Sequence, residues 1–335
     1  MDERPWKMIV VWRVVTACNL TCPFCAYDRR LDIPRPTADL AEIRRLAGLL
    51  ADYQAESGDE VLVSWLGGEP LLWRPLAGLT AAVRGLGLAV SATTNGTSLG
   101  SPAVRAQVVA HYRELTISVD GVGEAHDGLR GWDGGFAKLG TWVPTLAAEA
   151  RAAASALKIK INVVLTRQTL RDFNTLCRTV ADWGVTEITF NQLGGRDRPE
   201  FYPDHRLRPQ DVDRLEDLLP PLRRDLLDRG VMLVGGTAYV ERFRASAWDR
   251  PMPVEDCGPG ERFLFIDEAG RMAPCSFTAE DYGIDLSSVR TVADITDLPR
   301  RFRQLSQAAR SEHCDDCLST QICDKFKRQP APAAA

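Results

Sequence analysis

Three of the nine cysteines in this chain of 335 residues fall close together, as Cys18, Cys22 and Cys25 in the stretch Thr16-Ala-Cys-Asn-Leu-Thr-Cys-Pro-Phe-Cys. A C-x₃-C-x₂-C spacing places three thiolates on one loop. Thiolates are the ligands of iron–sulfur clusters, which normally take four. A [4Fe–4S] cube held by three cysteines keeps one iron open to a small molecule, and an electron carrier becomes a catalyst. Two plainer readings stand beside this one. A structural zinc site needs four protein ligands, often in C-x₂-C pairs, and no neighbouring His or Cys completes the set. Three free thiols could also simply be buried, as free cysteine often is.

The surrounding sequence favours the cluster. After the apolar run Val61-Leu-Val-Ser-Trp-Leu comes Gly67-Gly68-Glu69-Pro70. Glycines there let the backbone approach a ligand closely. The cysteine spacing, the aromatic Phe24 before the last cysteine and this GGEP element together resemble the radical S-adenosylmethionine (SAM) enzymes. The resemblance implies a [4Fe–4S] cluster on Cys18, Cys22 and Cys25 with SAM at its open iron. It also implies that Gly67, Gly68, Glu69 and Pro70 bind the SAM amino group. Weaker matches follow in the family's order. Asn95 ends a third strand, Ser118 and Asp120 end a fourth, Asn162 lies in a fifth and Asn191 ends a sixth. In relatives such positions face the SAM ribose and carboxylate, or the substrate. Taken singly, each also reads as a loop or N-cap residue.

A second cysteine group, Cys257, Cys275, Cys314, Cys317 and Cys323, lies near the end of the chain. It resembles the SPASM/Twitch extension of radical SAM enzymes, which carries auxiliary clusters. The segment Phe263–Cys275 reads as a hairpin with Gly270 at a turn that commonly requires positive φ. Five thiolates saturate one cubane with one left over. One auxiliary [4Fe–4S] cluster is therefore expected, held by four of the five. A zinc ribbon is what Cys314-x₂-Cys317 alone would allow. Cys177 belongs to neither group. In a helix over 170–183 it reads as an inert core thiol, or else as a hydrogen-atom donor that quenches a substrate radical.

Those residues need a scaffold. Apolar runs at 8–15, 60–66, 87–93, 115–119, 158–165 and 185–191 read as strands buried on both faces. Helical patterns at 38–50, 73–85, 102–112, 137–155 and 169–182 separate them, with Thr37 a plausible first N-cap. Serial βα units predict a parallel sheet with right-handed crossovers. The resemblance implies an α/β fold, a partial (β/α)₆ TIM-like barrel followed by a small cysteine-rich SPASM/Twitch domain. The expected divisions are a barrel over 1–208, a bridging helix and strand pair over 209–256, the cluster domain over 257–326 and a disordered tail over 327–335. In such barrels chemistry sits at the C-terminal ends of the strands, and the named motifs fall there.

Two glycine-rich loops, 121–135 and 194–206, stand over the same face. Long loops are often functional. They supply Asp127, Arg130, Arg196, Arg198, Tyr202 and His205 as a pool for a hydroxyl- or amine-rich substrate. An Asp or His among them could act as a base. Net charge is −4, with mixed signs and no basic stripe, so nucleic acid is a poor partner. No run of eighteen apolar residues suggests a membrane span, and no signal peptide stands at the start. Unexported cysteines fit a reducing cytoplasm, where thiols ligate metals.

The resemblance also implies the chemistry. One electron from a donor such as flavodoxin or ferredoxin cleaves SAM to a 5′-deoxyadenosyl radical, which takes hydrogen from a substrate carbon. Dehydrogenation, epimerisation or elimination can follow. Peptide-modifying relatives often carry an N-terminal peptide-recognition domain, for which the first strand at residue 8 leaves no room. A polar small molecule, a sugar, aminocyclitol or nucleoside in natural-product biosynthesis, is therefore the expected substrate, with peptide modification as the alternative. A non-catalytic electron-transfer protein is the third reading.

Overall fold

Alternating strands and helices follow from the alternating periodicities of the sequence. A computed structural model describes residues 6–194 and 198–319. Six strands carry the predicted apolar runs: β1 (Met8–Val15), β2 (Val61–Gly67), β3 (Ala89–Thr94), β4 (Glu114–Ser118), β5 (Lys158–Leu165) and β6 (Glu187–Gln192). Each pairs in parallel with the next. Helices α1 (Leu40–Ser57), α2 (Leu76–Gly85), α3 (Pro102–His111), α4 (Glu124–Arg130), α5 (Gly135–Ala152) and α6 (Phe173–Ala181) make the crossovers. Burial of Trp12, Trp65, Phe173 and Phe190 marks the core shared by sheet and helices.

The rest of the chain extends this sheet at both edges. After α7 (Tyr202–His205) and α8 (Pro209–Asp228), β7 (Met232–Leu233) joins β6 in parallel, and α9 (Thr237–Ala247) follows. The expected strand pair over 209–256 is thus a single strand used as a seventh parallel member. On the other edge, β8 (Phe263–Ile266) lies parallel to β1, with Ile9 opposite Phe263. Strands β9 (Arg271–Ala273) and β10 (Ile284–Asp285) continue outward in antiparallel fashion. Gly270 turns the β8–β9 hairpin at φ +83°, as its position in the sequence suggests. Helices α10 (Ala279–Tyr282), α11 (Val292–Ala308) and α12 (Glu312–Asp315) close the described chain. The sheet order is β10-β9-β8-β1-β2-β3-β4-β5-β6-β7, an unclosed barrel.

Two local expectations change. The N-cap of α1 is Asp39, whose carboxylate accepts from the N–H groups of Ala41 and Glu42, and not Thr37. The helix runs on to Gly58, which ends it at φ +73°. The glycine-rich segment 121–135 is not a plain loop: it folds into α4, which ends at Gly131 in the left-handed region. Its inward face buries His126 and Arg130, a demand no glycine count reveals.

Candidate metal centre

The three N-terminal cysteines stand on the loop after β1, at the C-terminal end of the sheet. Local bonds shape this loop: Cys25 N–H donates to Cys22 O, Asp28 N–H to Cys25 O, and Arg29 N–H to Leu20 O. Arg35 holds it from behind, donating to the carbonyls of Thr16, Tyr27, Asp28 and Leu31 at 2.7–3.2 Å. Sequence reasoning missed Arg35, since nothing local distinguishes it from other loop arginines. The loop also meets GGEP through the backbone. Gly68 N–H donates to Val15 O at 2.8 Å and Glu69 N–H to Ala17 O at 2.9 Å. A Cβ on Gly68 would lie 2.2 Å from Ala17 O, and one on Gly67 2.1 Å from Val15 O. Both glycines are needed for this approach.

The thiols are electrostatically coupled. Burial pushes the Cys22 thiol up to about 12, with Arg130 opposing it and Cys25, Asp120 and Cys18 adding to it. Burial likewise raises Cys18 and Cys25. Three sheltered thiols whose negative charges would repel one another suit a bound cation, which holds thiolates deprotonated. Three soft thiol donors on one loop, Cys22 buried and Cys18 and Cys25 half-buried, are of the type that holds an iron–sulfur cluster.

The side chains expected around SAM divide into two groups. Glu69 is fully buried and turned inward: its carboxylate accepts from Leu71 N–H at 3.0 Å, Thr94 O–H at 2.7 Å and Asn95 N–H at 2.6 Å. It ties the end of β2 to the end of β3. The physical reason is the run of orphan donors at the following turn, which a carboxylate satisfies. Asn95 reaches the cluster loop, donating to Asn19 Oδ1 at 2.9 Å and to Cys18 Sγ at 3.8 Å. Asn162 and Asn191 meet across β5 and β6, with Asn191 Nδ2 donating to Asn162 Oδ1 at 2.7 Å. Ser118, at the end of β4, pairs with Asn162 in the strand register. Phe24 lies beside Phe201, with ring centroids 6.4 Å apart.

Of the candidate substrate residues, Arg130 and Arg198 reach the cysteine loop and His205 stacks on Phe201 beside Phe24, while Asp127 turns to α5. Asp127 accepts from Gly134 and Phe136 N–H, both at 2.8 Å, and so caps the start of α5. Arg130 is buried, paired with Asp120 at 2.5 Å, and points Nη1 at Cys22 Sγ, 3.9 Å away. Asp120 is itself fully buried, and its other oxygen accepts from Val164 N–H at 2.8 Å. Asp127, Arg130 and Asp120 thus each find hydrogen-bond or ionic partners within the fold. Arg198 donates to Cys25 O at 2.7 Å. Tyr202 lies under the Arg206 guanidinium, and His205 stacks on Phe201 at 3.7 Å. Cys177 is fully buried in the apolar face of α6, where burial pushes its thiol up. Arg196 and Cys323 lie outside the described residues, as does the tail over 327–335.

The four described C-terminal thiols lie near enough to influence one another, with Cys257 exposed and the other three half-buried. Cys257 is pushed up to about 11, first by desolvation and then by Cys275, Cys317 and Cys314. Val254 N–H donates to Cys314 O and Cys317 N–H to Met252 O, which brings the segment before Cys257 against α12. Tyr282 holds the same corner, its hydroxyl 4.0 Å from Cys314 Sγ and accepting from Ser311 N–H.

Residues 12–180 match the Radical SAM superfamily. The chain belongs to that superfamily. It is an enzyme family that uses a [4Fe–4S] cluster and SAM, and the two cysteine groups agree with this. The chain is 26% identical to "PqqA peptide cyclase" from Xanthomonas euvesicatoria pv. vesicatoria over 331 residues, spanning 96% of this chain and 83% of the relative. It is 24% identical to "AdoMet-dependent heme synthase" from Oleidesulfovibrio alaskensis over 295 residues, spanning 84% and 73%. Among solved structures, Streptococcus suis SuiB bound to S-adenosylmethionine matches with a TM-score of 0.63 at 17% identity, covering 95% of this chain and 72% of that one. Native anSMEcpe with bound AdoMet matches with a TM-score of 0.66 at 17% identity, covering 95% and 88%. These two likenesses bear out the partial barrel. No helix among the described residues is long and apolar enough to cross a membrane.

Proposed function

We propose that this radical SAM enzyme holds its SAM-binding cluster on Cys18, Cys22 and Cys25 and an auxiliary cluster on Cys257, Cys275, Cys314 and Cys317. What supports this reading is that the thiols within each set influence one another, the first set on the loop after β1 and the second around the β8–β9 hairpin and α12. When bound, the first cluster and SAM supply a 5′-deoxyadenosyl radical that takes a hydrogen atom from a substrate carbon. The protein's own share is placement. Gly67 and Gly68 let the second strand's turn lie against the cysteine loop, and Glu69 locks that turn to β3. Arg35 and Arg198 fix the loop from two sides. Ser118, Asn95, Asn162 and Asn191 supply polar groups at the strand ends for the SAM carboxylate and ribose. Positioning of this kind is decisive, since reacting atoms must meet at ~3–3.5 Å.

A peptide is the favoured substrate, because the peptide cyclase aligns along 96% of this chain and 83% of its own length. A small molecule is the second reading, in line with the alignment to a heme synthase. Held by Cys257, Cys275, Cys314 and Cys317, an auxiliary cluster would supply a one-electron acceptor, and an external reductant would supply the electron for SAM cleavage. The test is anaerobic reconstitution with iron and sulfide, followed by dithionite and SAM. Deoxyadenosine should form in the wild type and vanish in Cys18→Ala/Cys22→Ala/Cys25→Ala. Survival of SAM cleavage in that variant would refute the assignment. Mass change in a short precursor peptide, against none in aminocyclitols or nucleosides, separates the substrate classes.

A further inference from the structure

We infer that Arg130, held by Asp120, sets the electron affinity of the cluster on Cys18, Cys22 and Cys25 and does not bind substrate. This rests on the cluster assignment above. The guanidinium is enclosed on three sides. Its Nε donates to Asp120 Oδ2 at 2.5 Å, its Nη1 points at Cys22 Sγ from 3.9 Å, and it sits 5.6 Å over the Phe24 ring. Arg130 is 8% exposed and Asp120 is 0%. The end of α4 is clamped to the cysteine loop, with Thr21 N–H donating to Arg130 O at 3.3 Å. Gly131, at φ +61°, leaves no room for a side chain: a Cβ there would fall 1.8 Å from Thr21 Oγ1. The charge cannot swing away without moving the loop.

A surface ion pair contributes little in water, but this one is sheltered and directional. The positive end of the pair faces a ligand sulfur and the negative end faces β5, where Asp120 accepts from Val164 N–H at 2.8 Å. Cluster potentials depend on net charge, hydrogen bonds to the sulfurs and solvent exposure. A cation and N–H donor beside Cys22 favours the reduced cluster, which carries one more negative charge. Asp120 has two opposed effects: it fixes the guanidinium, and it offsets part of its field. The arrangement therefore makes a prediction of sign that a merely structural salt bridge does not. Removing Arg130 should make the cluster harder to reduce. Neutralising Asp120 while Arg130 stays should make it easier.

The test is a redox titration of the full chain, reconstituted under argon and followed by electron paramagnetic resonance. The signal to follow is the one that changes shape when SAM is added, which separates the SAM-binding cluster from the auxiliary one. At the potential where half of the wild-type cluster is reduced, the reduced-to-oxidised ratio should fall at least about threefold in Arg130→Gln and rise at least about threefold in Asp120→Asn. Arg130→Lys, which keeps the charge, should lie nearer to wild type. An unchanged midpoint in Arg130→Gln at full iron content overturns the inference and leaves the cluster assignment standing. If Arg130→Gln fails to assemble, an unchanged or lowered midpoint in Asp120→Asn overturns it instead. Absence of any SAM-responsive signal in wild type overturns both.

Discussion

Substituting Gly68→Ala tests how closely the GGEP turn meets the cysteine loop. The new Cβ would lie 2.2 Å from Ala17 O, 2.4 Å from Ala17 C and 2.6 Å from Thr16 O. All three are backbone atoms, so no rotamer change relieves the clash. The turn must withdraw, which strains two hydrogen bonds, Gly68 N–H to Val15 O and Glu69 N–H to Ala17 O. Each such bond contributes about 1 kcal/mol net, and overpacking adds about 1–3 kcal/mol. The expected loss is therefore about 3–5 kcal/mol. A matched control is Gly48→Ala in the middle of α1, where nothing lies within 4 Å of the added Cβ. That change should stabilise by about 1 kcal/mol through helix propensity. Urea unfolding of the iron-free chain, extrapolated linearly to water, measures both. The reasoning is refuted if Gly68→Ala falls within about 0.5 kcal/mol of wild type, the ordinary range for surface changes.

The auxiliary site predicts that Cys257→Ala/Cys275→Ala lowers iron from about eight to about four atoms per chain. Deoxyadenosine formation should persist in this variant, read by chromatography. Cys177→Ala should cost about 1–2 kcal/mol as a small core cavity and leave product formation unchanged; a stall after hydrogen abstraction would restore a donor role for this thiol. Glu69 gives a pH signature. Burial raises its carboxyl from 4.5 to about 7, against the pull of Asn95, Thr94 and Leu71. The folded chain then holds a proton that the unfolded chain releases, so stability present below pH 4.5 is lost as pH rises toward 7. The difference in unfolding free energy between wild type and Glu69→Gln should shift against wild type by on the order of 3 kcal/mol across that window. A flat difference would show that the carboxyl is not perturbed.

The six strands and both cysteine groups were legible because period and spacing are local properties. Strand boundaries moved by only a residue or two, and the hairpin turn fell at Gly270 as read. What sequence could not show was the partner of each charged residue. Asp120 and Arg130 are ten residues apart, but Arg130 meets Cys22 at a separation of 108. The partners of Asp127, the N–H groups of Gly134 and Phe136, are chemically silent in sequence. The helix α4 hid among glycines, since three of them at positive φ bound it and its neighbour without contributing to a hydrophobic period. β7 is only two residues long, too short for alternation to register. Glu69 matched its motif by type and position, but its orientation depends on Thr94 and Asn95 arriving from the next strand.

The pairing of β8 with β1 has a kinetic side. Ile9 finds Phe263 across some two hundred and fifty residues of chain, so β1 is made long before its outer neighbour. Contacts of such long sequence separation slow folding, and an uncovered edge strand is a template for association with other chains. Expression of versions ending before residue 263 should therefore yield aggregate rather than a smaller working barrel, however complete the SAM motifs look.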